Sequence, residues 1–249
     1  MASVSEHYER LLSKHYTWML GVSFEEKVHE QNAFLSRTLG PLKNSLEPAL
    51  AVDLGCGPGF QTIALAQLGF SPVIAVDTSS ELLDELRAHV GDFPVQIEKA
   101  DLRELPAIVS AGQATVIVCM GDTLTHLPGK GEVTALFRGA FDALRPGGMF
   151  IITYRDLTKE LYGTDRFIPV RSDEDKIMTC FLEFENEESV VVYDLIYVRQ
   201  GAGWSLNKSS YRKIRLGIDW MCEELGSAGF SVVSRDLSGR LVGVTATKP

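Results

Sequence analysis

The chain has 249 residues, of which 45% are hydrophobic and 23% are charged. A chain of this length can bury about three-quarters of its surface on folding, so intrinsic disorder and a small fold held together by disulfides or metals are excluded. The formal charge of −9, with a single modest basic cluster, argues against a nucleic acid partner.

Cysteine spacing and the N-terminal residues bear on the cellular compartment. Four cysteines stand far apart with no C-x-x-C spacing, which is typical of reduced thiols in the cytoplasm. The first 16 residues alternate charged and apolar side chains, unlike a signal peptide, and no apolar run approaches the ~20 residues of a spanning helix. We therefore predict a soluble, cytoplasmic protein without a membrane partner; a homo-oligomer is compatible with the same features.

The N-terminal residues carry a helical pattern. From Tyr8 to Met19, apolar and aromatic residues recur at i, i+3, i+4 and i+7, which predicts a helix with one buried face. A second helix is predicted from about Glu25 to Leu39, and Gly40-Pro41 would end it. Residues 1–48 are therefore expected to form a helical unit.

The next hundred residues alternate short apolar runs with amphipathic segments. The apolar runs predict strands at 49–53, 72–77, 95–98, 115–119 and 149–154. The segments between them predict a helix at 61–68, a helix opened by a capping box Thr78-x-x-Glu81, and a helix at 133–144 that Arg145-Pro-Gly-Gly ends. Strands alternating with helices predict an α/β fold with a parallel sheet covered on both faces.

Beyond residue 156 the pattern changes to strands without an intervening helix. They are predicted at Lys176–Glu185, Val190–Arg199 and Ser205–Leu216. Residues 173–188 hold seven acids and one Lys, whereas residues 199–215 hold five bases and no acid. Adjacent antiparallel strands of opposite charge would pair favourably, so a self-neutralising β unit is favoured over a basic ligand patch.

The last residues predict one helix and a hairpin. Asp219 is expected to cap a helix that runs to Gly229. Two strands, 230–235 and 241–247, would then form a hairpin around Ser238-Gly239.

A glycine-rich segment, Val52-Asp-Leu-Gly-Cys-Gly-Pro-Gly-Phe60, lies between a predicted strand and a predicted helix. Its glycines let the backbone approach a ligand closely, and the N-terminus of the helix offers N–H groups to an anion. A nicotinamide-binding turn has the pattern G-x-G-x-x-G, which would need glycine where Phe60 stands. A nicotinamide oxidoreductase is therefore a distant alternative.

The segment resembles the first motif of class I S-adenosylmethionine-dependent methyltransferases. The similarity continues in order through VIAVDTS, KADLREL, TVIVCMGDTLTHL and RPGGMFIIT, over residues 50–156. It implies a Rossmann-like, doubly wound sheet of seven mostly parallel strands with an antiparallel terminal strand. In that arrangement 49–156 and 217–249 form the cofactor domain, 1–48 lids the site, and 157–216 is a small antiparallel β insertion on the substrate side.

The resemblance implies S-adenosylmethionine as cofactor and S-adenosylhomocysteine as product. The glycines would line the methionine half, and Asp53 would order the network around its amino group. Asp77, 22 residues past Gly55, has the spacing to accept both ribose hydroxyls. The full set implied for the cofactor is Tyr16, Asp53, Gly55, Cys56, Gly57, Gly59, Asp77, Thr78, Asp101, Leu102, Met120 and Gly121.

Three of these residues have a simpler alternative. Asp101, with the Leu102 backbone, would hold the adenine edge, but Asp77 and Asp101 could each be a helix cap or a solvated loop residue. Tyr16 on the N-terminal helix could place its ring near the sulfonium, a cation–π contact of about 0.5–2 kcal/mol, or simply pack in the core.

A closer likeness, carried by CMGDTLTHLP, RPGGMFIITYRD and YRKIRL, is to the glycine N-methyltransferase group of small-amine enzymes. It implies that Arg155 receives a substrate carboxylate, for which a planar guanidinium is suited. The alternative for Arg155 is a surface ion pair with Asp156 or Asp165. Asp122 stands where that group has Asn, which argues against glycine itself as the acceptor.

These residues predict a methyltransferase that acts on a small-molecule acceptor, with an amine nitrogen attacking the methyl group in line. Asp122 or His126 could assist or accept the amine proton. O-methylation of a small carboxylic or hydroxylated metabolite, and a silent protein that only binds the cofactor, are the alternatives. No metal is expected, because Leu157 follows Asp156 where a magnesium-binding enzyme would continue its ligand set, and Glu25, Glu26 and His29 fit a solvated helix face.

Overall fold

The computed structural model describes residues 2–40, 49–237 and 241–249. The predicted turn at Ser238-Gly239, and the Pro41 predicted to end the second helix, lie outside the described residues.

Eight α-helices are described: α1 Val4–His7, α2 Tyr16–Met19, α3 Phe24–Thr38, α4 Phe60–Gln67, α5 Ser80–His89, α6 Leu105–Ile108, α7 Lys130–Ala143 and α8 Ile218–Ser227. The strands of the first sheet are β1 Leu50–Leu54, β2 Val73–Asp77, β3 Val95–Lys99, β4 Ala114–Cys119, β5 Leu144–Tyr154, β10 Ser231–Asp236 and β11 Val242–Thr247. Those of the second are β6 Phe167–Ser172, β7 Lys176–Phe184, β8 Ser189–Gln200 and β9 Gly203–Ile214.

The first sheet has seven strands in the order β3-β2-β1-β4-β5-β11-β10. Strands β1 to β5 pair in parallel, and β11 runs antiparallel to both β5 and β10. The predicted fold class, a doubly wound and mostly parallel seven-stranded sheet with an antiparallel terminal strand, is confirmed. The strand order reverses between β1 and β4, which is where open α/β sheets bind ligands at the carboxyl ends of their strands.

Apolar residues cover both faces of this sheet. All six residues of β4 and four of the five in β2 are buried, as expected for parallel strands packed between helices. On one face α7 packs Phe137 against Phe150 of β5, and on the other α3 and α4 pack Leu35 and Leu65 against β1 and β4. This rigid support holds the ends of β1, β2 and β4 in place.

The insertion forms a four-stranded antiparallel sheet in the order β6-β7-β8-β9. Three of its strands match the predicted ones, and β6 was not predicted. The expected pairing of the acidic strand with the basic strand is wrong, because β8 lies between β7 and β9 and pairs with both. One ion pair still joins the two charged segments, Arg212 Nε to Glu185 Oε2 at 2.6 Å.

Two predicted helix starts are shifted. Helix α5 is capped by Ser79, whose Oγ accepts a hydrogen bond from Leu82 N at 3.4 Å, so the capping box at Thr78 is wrong. Helix α8 begins after Gly217, which places Asp219 in its first turn and not at the cap. Both helices start where the backbone leaves its extended conformation, and that position is set by the preceding strand or loop.

The segment Arg145-Pro-Gly-Gly does not separate helix from strand as predicted. Helix α7 already ends at Ala143, and β5 begins at Leu144. The pairing with β4 passes from Ala114↔Leu144 to Val116↔Met149, so the segment is an irregularity within the strand.

The predicted N-terminal helix is a succession of short helical segments. One π-helical turn (Tyr8–Leu12) and one 3₁₀ turn (Ser13–His15) lie between α1 and α2. Ser13 Oγ donates to Tyr8 O at 2.8 Å, the kind of side-chain bond that competes with regular helix. The predicted face is nevertheless inward, since Leu11 and Leu12 are buried against the second sheet. No helix in the described part of the chain is long and apolar enough to span a membrane.

Candidate active site

A cavity of about 620 Å³ lies beyond the carboxyl ends of β1 and β2. The turn after β1, the ends of β2 and β3, and the loop after β4 form its floor and sides. The N-terminal residues close it from above, and the end of β9 in the second sheet completes the wall. Its volume is within the range of small-molecule and cofactor sites.

Of the residues predicted to form the site, eight line this cavity: Tyr16, Gly55, Gly57, Asp77, Thr78, Asp101, Leu102 and His126. Seven others do not: Asp53, Cys56, Gly59, Met120, Gly121, Asp122 and Arg155. The division separates groups that can touch a ligand directly from groups that lie behind or beside them.

The three glycines of the turn have positive φ values of +70°, +53° and +97°, but they face different surroundings. A Cβ on Gly57 would meet nothing closer than 3.9 Å, and this residue borders the cavity. A Cβ on Gly59 would lie 2.2 Å from Leu86 Cδ1 of α5. Gly57 therefore lets a ligand approach the backbone, whereas Gly59 lets helix α5 approach it.

Asp77 ends β2 with its carboxylate held on both sides. Its Oδ2 accepts from Gly57 N and its Oδ1 from Ser79 N, each at 2.8 Å. Burial raises the pKa of this carboxyl, and the backbone donors oppose that rise. The two bonds fix the carboxylate in the cavity wall and leave lone pairs for a further donor.

Asp53 lies behind the glycine turn. It is 1% exposed, and its Oδ2 accepts from Thr62 Oγ1 at 2.7 Å. Burial raises the pKa of Asp53 to about 7, with the Thr62 bond opposing the rise. Its contacts join β1 to α4 under the turn.

Three further predicted residues also lie outside the cavity wall. The thiol of Cys56 is buried, which raises its pKa, and its Sγ is 3.6 Å from Gly57 O. Gly121 N donates to Thr153 Oγ1 at 2.8 Å, which joins the end of β4 to β5, and Met120 is buried beside it.

Asp101 lines the cavity and also caps a short turn. Its two oxygens accept from Arg103 Nε and Nη2 at 2.9 and 2.8 Å, and Asp101 N donates to Glu104 Oε1 at 3.0 Å. The Arg103 guanidinium lowers the pKa of this carboxyl. The capping alternative is therefore realised in the structure, and Leu102 lies beside it in the wall.

Asp122 follows β4 and is enclosed by donors. Lys213 Nζ and Thr125 Oγ1 donate to its carboxylate, as does Arg155 N at 3.0 Å. Arg155 Nε lies 3.6 Å from Asp122 Oδ2, so this guanidinium pairs with Asp122, not with Asp156 or Asp165 as the alternative had it. Burial raises the pKa of Asp122, but the Lys213 charge, the neighbouring His126 and the hydrogen bonds from Lys213 and Arg155 N together outweigh it and lower the pKa, which keeps Asp122 ionised.

His126 lies between two tyrosine rings, with centroids 5.6 Å from Tyr8 and 5.5 Å from Tyr211. Burial, reinforced by the nearby Lys213 charge, lowers the pKa of His126 to about 3. Its Nε2 is buried and has no hydrogen-bond partner among the described residues. The imidazole is therefore neutral at physiological pH, and Nε2 is an unused polar atom enclosed by its neighbours.

Residues 2–20, called the lid below, are fastened to the second sheet and to α5. His7 Nε2 lies 2.9 Å from Asp194 Oδ2 of β8, and the two side chains are almost completely buried. Ser13 Oγ and Ser79 Oγ are 3.1 Å apart, and Thr17 Oγ1 donates to Glu85 of α5 at 2.6 Å. These bonds hold the tyrosines of the lid over the cavity, and burial raises the pKa of Tyr16 to about 12.

Residues 51–148 match the family model described as "Methyltransferase domain". This match covers the glycine turn and the ends of β1, β2, β3 and β4 that form the cavity. The chain contains a class I S-adenosylmethionine-dependent methyltransferase domain. Its cofactor is S-adenosylmethionine, and the chain is a methyltransferase enzyme.

Three curated relatives are similar to this methyltransferase. The methyltransferase YqeM of Bacillus subtilis (strain 168) is 26% identical over 190 residues, which are 75% of each chain. A ubiquinone biosynthesis O-methyltransferase of Xanthomonas axonopodis pv. citri (strain 306) is 34% identical over 43% of this chain and 44% of its own. The glycine N-methyltransferase of Rattus norvegicus is 29% identical over 61% of this chain and 57% of its own. The methyltransferase thus spans about half the length of the last two relatives.

Among solved structures, the fold is similar to that of the CcbJ methyltransferase from Streptomyces caelestis. The TM-score is 0.77 at 18% identity, over 99% of this chain and 98% of the other. The similarity therefore extends beyond the methyltransferase domain to the lid and the second sheet.

Sequence reasoning missed several residues at the site of the methyltransferase, chiefly Tyr8, Tyr211 and Lys213. Tyr211 and Lys213 are buried on the same face of β9, and Lys213 reaches Asp122, 91 residues earlier in the chain. Their alternation in Tyr211-Arg-Lys-Ile-Arg215 is the period of a strand. That period was available in the sequence, but the partner of Lys213 was not.

Proposed function

We propose that this methyltransferase methylates an amine nitrogen of a small molecule. The cavity would bind this molecule without recognising a carboxylate on it. The acceptor would lie under the lid, between the cofactor and the wall formed by Tyr8, His126 and Tyr211. One observation carries the proposal: the arginines that line the cavity are already paired with carboxylates.

The charges of the wall support an amine over an acid. Arg103 pairs with Asp101, and Arg212 pairs with Glu185. His126 is neutral, so within the described wall neither arginine nor this histidine offers an uncompensated positive charge to a carboxylate. Tyrosine rings and buried carboxylates instead favour a group that is cationic or becomes so, as an amine does when it is methylated.

The fit between the site and the cofactor is clearest at Gly57, which leaves open space beside the fixed Asp77 carboxylate. We propose that Asp77 accepts the ribose hydroxyls, that Asp101 and Leu102 hold the adenine edge, and that the backbone at Gly55 and Gly57 holds the methionine part. Tyr16 would cover the site. S-adenosylmethionine, when bound, supplies an electrophilic methyl group on a sulfonium.

The other predicted cofactor residues would act through these. Asp53, Cys56, Gly59, Met120 and Gly121 lie outside the cavity wall and would shape the turn and the strand ends. Thr78 lines the cavity directly after Asp77. We propose that the chain is divided into three parts. Residues 49–156 and 217–249 bind the cofactor, the lid within 1–48 covers the site, and 157–216 lies on the substrate side.

His126 would position the acceptor. A base with a pKa of about 3 is poorly matched to an ammonium ion, so His126 would hold the amine by a hydrogen bond at a ring nitrogen and not store its proton. Asp122, ionised and enclosed by Lys213, Arg155 and Thr125, would fix the loop that carries His126. The chain then contributes alignment of the nucleophile and exclusion of water, effects that can supply a large part of a rate enhancement.

Arg155 is a weaker candidate for substrate contact. Its side chain is 52% exposed and pairs with Asp122 outside the cavity wall. Its role as a carboxylate receptor stays a prediction and would require it to leave Asp122.

O-methylation of a hydroxylated metabolite is the second candidate. It is favoured by the similarity to the Xanthomonas O-methyltransferase, which covers the cofactor motifs but less than half of either chain. A neutral His126 could equally accept a hydrogen bond from a hydroxyl group.

The test has two parts. First, calorimetric titration with S-adenosylhomocysteine should give binding that Asp77→Ala loses and that Asp84→Ala, a change at an exposed carboxylate of α5, retains. At a hundredfold excess over its Kd, the product should also stabilise the fold by about 2.7 kcal/mol.

Second, panels of small amines, phenols and carboxylic acids are assayed for release of S-adenosylhomocysteine. Turnover of amines, reduced by His126→Asn mainly through KM, supports the proposal. Turnover of phenols or acids alone would transfer the assignment to O-methylation. Binding of the product without any turnover would indicate a silent cofactor-binding protein.

A further inference from the structure

The second sheet has a solvent side that is apolar. By its strand register, Phe167 lies opposite Phe181, Tyr197 lies opposite both Ile177 and Leu206, and Arg199 lies opposite Trp204. Directly opposed residues of antiparallel strands point to the same face. We call the face that carries Phe167, Ile177, Phe181, Tyr193, Leu195, Tyr197, Trp204 and Leu206 the outer face.

The outer face is exposed to an unusual degree. Phe167, Ile177, Tyr197, Trp204 and Leu206 have exposed fractions between 37% and 54%. The opposite face of the same strands is already covered, because Leu182, Val192 and Tyr211 pack against the rest of the chain. An antiparallel sheet with one face on the core normally turns polar residues to water, so this face is expected to be covered by another surface.

The charges of the outer face indicate which surface covers it. On the outer face the acid of β7 is Glu183, and the bases of β9 are Lys208 and Arg212. Strand β8 separates the two, so the outer face is acidic along β7 and basic along β9. Such a face is complementary to a copy of itself turned by 180° about an axis parallel to β8.

We propose that the outer face is the interface of a two-fold symmetric homodimer. The axis runs along β8, so β7 of one copy lies over β9 of the other. Glu183, on the row of Val191 and Arg212, then faces Arg212 of the second copy, and Ile177 faces Leu206. An axis across the strands would instead place acidic β7 on acidic β7.

The area is sufficient. Strands β7, β8 and β9, which overlap with their copies, have 9, 12 and 12 residues. At about 4.8 Å between strands and about 3.3 Å per residue they give a face of roughly 520 Å² per copy. Two copies therefore bury about 1,040 Å², just above the roughly 1,000 Å² expected of a specific interface. The aligned arrangement is also one of the two ways in which sheets pack face to face.

The proposal concerns assembly and does not rest on the identity of the acceptor. Sedimentation velocity over about 1–100 μM should give a species of twice 27.4 kDa for the wild type. Leu206→Asp should weaken the dimer at least about 30-fold, since it buries a charge against Ile177 of the second copy. Val233→Asp, at a residue of β10 that is 60% exposed but lies outside the outer face, is the matched control and should leave the dimer intact.

A second variant keeps the test sharp if Leu206→Asp fails to fold. Leu195 of β8 lies next to the proposed axis, where packed sheets are about 10 Å apart, so a bifunctional maleimide of about that span should cross-link Leu195→Cys to its copy, whereas Val233→Cys should not be cross-linked. A wild type that stays monomeric overturns the proposal. So does a dimer that tolerates Leu206→Asp and fails to cross-link at Leu195→Cys.

Discussion

Replacing Gly59 by Ala should lower the free energy of unfolding and leave the binding of S-adenosylhomocysteine nearly unchanged. Gly59 has φ +97°, a region that costs an L-residue about 1–2 kcal/mol. The added Cβ would also lie 2.2 Å from Leu86 Cδ1 and 3.1 Å from Leu86 Cγ, so α5 must shift or Leu86 must leave its rotamer, which costs about 1–3 kcal/mol. The two effects together lower the free energy of unfolding by about 2–5 kcal/mol.

Gly57→Ala is the matched comparison within the same turn. Its φ of +53° is easily adopted by alanine at about 1 kcal/mol, and the new methyl group meets nothing within 3.9 Å. This variant should keep most of its stability but bind S-adenosylhomocysteine weakly, because the methyl group enters the cavity. Gly59→Ala should show the reverse, with reduced stability and near-normal binding in the folded fraction.

Urea denaturation followed by far-UV circular dichroism measures the stabilities, and calorimetry measures the binding. In the Leu86→Ala background the contacts with Cδ1 and Cγ are absent and only Leu86 Cβ, at 3.3 Å, remains close, so Gly59→Ala should cost mainly the backbone strain. Equal losses of stability for Gly57→Ala and Gly59→Ala would refute the reasoning. So would a Gly59→Ala penalty that Leu86→Ala leaves unchanged.

Three further outcomes follow from the titrating groups. Because the pKa of His126 is about 3, kcat/KM should show no inflection from this imidazole between about pH 5 and 8, and a pH–rate profile whose step disappears in His126→Asn would contradict this. The folded-state pKa of Asp53, about 7, lies above its unfolded value, so its contribution to stability is complete below about pH 4 and is lost as pH rises through about 7. Asp53→Asn should flatten the dependence of the urea midpoint on pH over this range. An unchanged pH dependence would count against this role of Asp53. Lys213→Met leaves the Asp122 carboxylate without its main partner and should cost about 3 kcal/mol at pH 7. Protonation of Asp122 removes the unpaired charge, so this deficit relative to wild type should shrink towards pH 4, and a deficit independent of pH would exclude the mechanism.

The elements that the sequence predicted well are those with a strong local signal. The buried strands β1, β2 and β4 are short apolar runs, and the turn after β1 needs glycine at positions with positive φ. Both signals lie within a few residues, and the carboxylate at the end of β2 follows from spacing alone. The seven-stranded sheet could therefore be predicted, together with the floor of the cavity.

The features that the sequence did not predict depend on contacts between distant residues or lie on an edge strand of a sheet. Strand β6 contains Pro169, which local rules place outside a strand, yet an edge strand tolerates the missing donor. The order of β7, β8 and β9 could not be inferred from charge, because side-chain attraction is weaker than the connection through a short hairpin. Lys213 gained its role only when β9 was placed beside the loop after β4.

The bond between His7 and Asp194 has a consequence for the order of assembly. It joins residues 187 positions apart, so it forms only after nearly the whole chain, including β8, has been synthesised and folded. The sheet from β1 to β5 relies on much more local contacts and can mature earlier, which makes docking of the lid a late step with its own kinetics. In the finished enzyme the same segment is the first expected to detach, since its release breaks no strand pairing of either sheet. Hydrogen exchange should therefore find residues 2–20 opening far more often than the protein as a whole, and exchange of the bound molecules can proceed at that frequency without global unfolding.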